Sequence, residues 1–173
     1  MTNAQAGLKG LACRIIEGWA LLGGFLLLVI ALMNTWSVIS LNTLGYPVPG
    51  DFEMVEMGVA IAVFAFLPYC QLTGANVSAD IFTSGASPRW VALFSLLAAI
   101  VAAFFSVILI WRMSDGMASY IEYEEVTTIL SIPIWYAFPP ILMSLGFLIL
   151  ASAITLSDAV REMRPGQSLD GTR

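Results

Sequence analysis

The chain has 173 residues, is 59% hydrophobic and only 11% charged, and carries a net charge of −5. A soluble domain has roughly a quarter of its residues charged, so this composition excludes a water-soluble core, and no basic stripe is present for nucleic acid. The absence of histidine removes the commonest general base and metal ligand, and Cys13 and Cys70 lack CxxC spacing, which argues against a zinc site or a disulfide framework.

Four apolar runs reach the roughly 20 residues that a bilayer crossing needs. They lie near residues 15–39, 54–72, 88–111 and 132–156. The fold class read from them is an all-α integral membrane protein with four transmembrane helices. Residues 1–14 form a cytoplasmic or interfacial arm, 15–157 the membrane domain and 158–173 a cytoplasmic tail.

Lys9 and Arg14 precede the first run, as in a signal peptide. The run is longer than a signal core of roughly 7–15 residues, and no A-x-A-like site follows, so it reads as a retained span. Glu17 is an ionisable residue at its inner end. Arg14, three residues earlier on the same helix face, makes a partly hydrated ion pair the expected arrangement. Asn34 is expected to make an interhelical hydrogen bond.

The turn-rich stretch GYPVPGDF leads into the second span. Asp51 is expected as its cap, with Glu53 and Glu56 in the first turns, where the helix dipole favours acids. The same two glutamates share a face and are candidates for contact with a partner. Pro68 is expected to kink the span or loosen its inner end. YCQLTGANVSAD is a polar turn, and its Asp80 can cap a helical turn or hold the loop. In GASPRW, Ser87 is the expected cap and Pro88 the first helical residue.

On the third span Ala98, Ala102 and Ser106 share a face, as do Ala99 and Ala103. Such rows allow close helix approach, inside this bundle or against a partner subunit. RMSDGMASYIEYEEV interleaves apolar residues with acids and is expected to lie along the outer surface. In TTILSIPIWYAFPP the chain turns back into the membrane. Pro133 can start a helical turn, Trp135 and Tyr136 mark the boundary, and Pro139 and Pro140 break or bend the chain as the main part of the last span begins and fix its tilt.

Charge and tryptophan set orientation. Lys9, Arg14, Arg89, Arg161, Arg164 and Arg173 fall on one side, and only Arg112 on the other. The positive-inside rule places both termini and the middle loop in the cytoplasm. Most acids then fall outside. Trp19 and Trp90 sit at inner ends of spans, and Trp36, Trp111 and Trp135 at outer ends. The Trp19–Trp36 and Trp90–Trp111 separations, roughly 25 and 31 Å along a helix, match a hydrocarbon core of about 30 Å.

No catalytic set is present: no Ser–His pair, no paired-carboxylate cleft and no phosphate-binding glycine loop. The chain therefore reads as a non-enzyme without a cofactor. A quinone-linked thiol oxidase needs outward-facing cysteine pairs, whereas Cys13 and Cys70 map to the inner side.

FLPYCQLTGANVSADI, TTILSIPIWYAFPP and the outer GDFEMVE resemble the small membrane subunit of TRAP (tripartite ATP-independent periplasmic) transporters. The resemblance covers roughly Gly18 to Leu156. It departs at Gln71 and Asn76, where the family often has a basic residue and a histidine. It implies a non-catalytic subunit of a sodium-coupled uptake system for organic acids, in the bacterial inner membrane. The implied partners are a large multi-span subunit and a periplasmic substrate-binding protein. The candidate interface residues are Glu53, Glu56, Asp80, Pro133, Trp135 and Pro139. The alternatives are an autonomous four-span exporter that uses Glu17, or a membrane assembly factor.

Overall fold

The computed structural model describes residues 3–74 and 88–163, with side chains from 9–74 and 96–158. The described residues form four α-helices: α1 (Asn3–Leu44), α2 (Asp51–Thr73), α3 (Pro88–Glu122) and α4 (Phe138–Met163). A 3-10 turn, Ile134–Ala137, leads into α4. All four helices are long and apolar enough to cross a membrane.

The helices stand in a row, α1–α2–α4–α3, rather than in a closed square. The core lies along α4, where Ala137, Ile141, Leu145 and Leu148 are buried. Met57, Ile61 and Phe64 of α2 cover it on one side and Leu109, Ile110 and Met113 of α3 on the other. The small-residue rows of α3 serve this contact. Ala99 and Ser106 are fully buried, whereas Ala98 is exposed. Lipid gives no hydrophobic drive between spans, so close approach of small side chains and van der Waals contact must hold them.

α1 meets α2 along a second seam of small residues. Ala62 and Ala65 are buried, and a Cβ built on Gly23 would lie 2.8 Å from the Ala65 Cβ. Only glycine permits this crossing distance. In its N-terminal half α1 also touches α4. The Trp19 indole donates to the Ser144 hydroxyl at 2.8 Å and meets the Phe147 ring edge-on at 5.7 Å. Trp19, expected at the inner boundary, thus turns its N–H into a helix contact. Trp19→Phe keeps the ring and removes the donor. It is expected to cost about 1 kcal/mol, while Trp19→Ala costs about 3–5 kcal/mol; denaturant titration of the detergent-solubilised chain measures both.

Several local expectations change. α1 is continuous through residues expected as an arm, and its 42 residues span about 63 Å. Arg14 and Glu17 are both exposed, and no pair joins them. The ion pairs among the described residues are Lys9–Asp158 and Arg112–Asp115. Asn34 is exposed without a hydrogen-bond partner among those residues, because α1 has a neighbour on one side only. Pro68 is fully buried inside α2, and the helix runs past it to Thr73. Beyond Trp111 the chain stays in α3 as far as Glu122 rather than forming a separate surface segment. Its acids interrupt the apolar run, but the segment holds no proline, and Gly116 stays within the helix. The side chain of Trp90, and Ser87 with the rest of the middle loop, lie outside the described residues.

Candidate partner interface

The two loops at one end of the row are tied into a single unit. Residues 45–50 are held from α1. The Ser37 hydroxyl donates to the Asp51 carboxylate and accepts the Val48 N–H at 3.1 Å. Ser40 donates to the Tyr46 carbonyl at 2.9 Å. Gly50, in the left-handed region at φ +72°, precedes the first turn of α2. Asp51 is therefore not the cap expected from the sequence. It is the first helical residue, and its carboxylate reaches across to Ser37 because Gly50 already makes the turn.

Glu53 performs a task that the sequence did not reveal. Its carboxylate accepts the N–H of Ile129 at 2.6 Å and that of Leu130 at 3.0 Å. One side chain on α2 thereby anchors the loop between α3 and α4. A Cβ on Gly50 would collide with the Leu130 side chain, so the two loops are in direct contact. The only advance signal for the pairing is an acid in the first turn of α2 and a segment of Ile and Leu lacking its own helix.

The second loop closes on itself. Thr127 N–H donates to the Ile132 carbonyl at 2.9 Å, and Ile134 N–H to the Glu125 carbonyl at 3.2 Å. Val126 and Pro133 form an antiparallel bridge. Glu124 and Ser131 adopt positive φ, at 48° and 54°, which lets so short a segment reverse. Pro133 caps the 3-10 turn. Pro139 and Pro140 fall in the first turn of α4, where their missing N–H groups have no intrahelical acceptor to lose. They start the helix and do not break it.

Of the residues singled out as interface candidates, Glu53 and Pro133 are engaged within the chain. Trp135 is half-buried, with its ring 4.4 Å from that of Tyr136. Glu56 and Pro139 are exposed. Asp80 lies outside the described residues. The structure thus gathers Glu53, Pro133 and Trp135 at one end and leaves Glu56 and Pro139 facing outward.

The flanks of the row are apolar and uncovered. On α3, Phe104, Phe105 and Trp111 are exposed; on α1, Leu21, Phe25 and Trp36 are. Such faces suit lipid or the helices of a partner.

No curated protein and no solved structure matches the chain. A family model described as "Tripartite ATP-independent periplasmic transporters, DctQ component" matches residues 30–162. In that family the component is the small membrane subunit, working with a large DctM subunit and a substrate-binding protein. The match runs from the middle of α1 to the end of α4 and takes in both tied loops. This chain therefore belongs to the DctQ family, the small multi-pass membrane component of tripartite ATP-independent periplasmic transporters.

Proposed function

We propose that this chain braces the large transport subunit of a sodium-coupled uptake system and offers part of the surface on which the substrate-binding protein docks. The open row of helices carries this reading. α2 and α4 hold the chain together, while α1 and α3 leave apolar faces uncovered along their length. Lipid covers such faces in any membrane protein; in a brace, the helices of the large subunit cover one of them instead.

Both termini are cytoplasmic in this reading, following the distribution of Lys and Arg. The tied loop end then faces the periplasm. The substrate is an organic acid, bound and moved by the large subunit. The autonomous exporter has less support. Its required acid, Glu17, lies exposed on the flanking helix α1.

The test is gentle purification of this chain from its native membrane. A large multi-span subunit is expected to come with it in equal amount. A chain that purifies alone and moves cations in a Glu17-dependent manner would replace this reading with the exporter.

A further inference from the structure

The acids of the loop end divide into two sets. Asp51, Glu53 and Asp115 are engaged inside the chain, with Ser37, with the 129–130 backbone and with Arg112 respectively. Glu56, Glu122, Glu124 and Glu125 are exposed, with no carboxylate partner among the described residues, and the last two share one site. Both stand on the rim of a cleft of about 340 Å³. Tyr120, Ile121, Val126, Pro133 and Trp135 line it with them.

The cleft is built on fixed elements. The Tyr120 ring lies 5.4 Å from that of Phe138, and Trp135 lies against Tyr136. The rim is closed by Glu125 N–H to the Tyr120 carbonyl and Ile134 N–H to the Glu125 carbonyl, each 3.2 Å. Little ordering of the backbone is then left for a binding event, which favours affinity.

Its chemistry selects a cation with an apolar stem. Aromatic faces attract ammonium and guanidinium groups. Carboxylates on the rim accept their hydrogen bonds, and the aliphatic stem lies on the apolar wall. An anionic ligand would be repelled. Glu124, Glu125, Val126 and Pro133 lie between the candidate spans Leu96–Glu122 and Ile134–Asp158, so a soluble partner reaches them more readily than a membrane-embedded one.

We infer that this cleft receives a lysine or arginine side chain from the substrate-binding protein. The inference rests on the docking role and orientation proposed above. It makes Glu124, Glu125 and Trp135 the docking contacts, and it removes Glu53 from that role, because Glu53 is held within the chain.

The test uses the complex of this chain with its large subunit in nanodiscs, with the purified substrate-binding protein as the probe. Binding is measured for wild type, E124Q/E125Q and E124K/E125K at low and high salt. The dissociation constant is expected to rise about threefold for the neutral pair and about tenfold for the reversed pair. The salt dependence of binding should flatten in both. Retention of the large subunit should be unchanged, since these carboxylates make no internal contact; where the reversed pair fails to assemble, the neutral pair decides. Unchanged dissociation constants in both variants, with a wild-type complex that binds, would overturn the cleft and leave the subunit assignment standing. A wild-type complex that binds no substrate-binding protein would overturn the docking role as well.

Discussion

Replacing Gly23 with leucine is expected to open the α1–α2 seam and destabilise the chain by about 3 kcal/mol. The Cβ of any larger residue would meet the Ala65 Cβ at 2.8 Å, with the Ala62 carbonyl at 3.5 Å. Neither neighbour can swing aside: one is the first atom of a side chain and the other is backbone. The helices themselves must part, and the van der Waals contact that holds spans together in lipid is lost with them. Gly58→Ala is the informative comparison. Its Cβ would strike the Ile30 Cδ1, the end of a side chain that can turn about χ2, and come within 3.1 Å of its Cγ1. The gain in helix propensity, up to about 1 kcal/mol in water, offsets that adjustment, so Gly58→Ala is expected to be near neutral. Denaturant titration of the purified chain distinguishes the two. Equal losses at both sites would mean that the seam is not limited by backbone approach.

The second large effect is expected at the loop clamp. Gly50→Val places a β-branched residue at φ +72°, a strain of about 1–3 kcal/mol. Its side chain also invades the space of Leu130, and overpacking of that kind adds about 1–3 kcal/mol. The Leu130 side chain, or the 127–133 loop that carries it, must move to admit it. Glu53→Ala attacks the same contact from the other side, leaving the N–H groups of Ile129 and Leu130 without their acceptor. Amide exchange at these residues should accelerate about tenfold or more, as expected for loss of charge-assisted hydrogen bonds. Exchange within α4 should hardly change, because its core residues draw their contacts from α2 and α3. Exchange at Ile129 and Leu130 that is indifferent to Glu53→Ala would remove the clamp from the account.

The presence of four long apolar helices was legible because each is a long apolar run, and in a membrane every backbone polar group must be satisfied within its own helix. Pro133 at the start of a turn was also legible, since a fixed φ and a missing N–H act locally, whereas Pro139 and Pro140 open α4 instead of breaking the chain. The family resemblance was readable for the same reason: its motifs are short, contiguous and placed at turns.

What the sequence left open were choices of partner between distant segments. Glu53 reads as a first-turn acid, and only the fold brings the 129–130 backbone within 3.0 Å of it. Arg14 and Glu17 have the spacing of a pair, yet they stay apart, while Lys9 reaches Asp158, 149 positions along the chain. Trp19 has the placement of a boundary residue, yet Ser144 takes its N–H. The order α1–α2–α4–α3 was also hidden, because apolar faces turned to lipid and apolar faces turned to protein have the same composition. The sequence by itself determined a four-span membrane helical chain, since hydropathy is a property of each segment alone. Which faces meet, and which acids remain free to meet a partner, only the tertiary structure decided, because those contacts depend on close approach between helices that no single segment encodes.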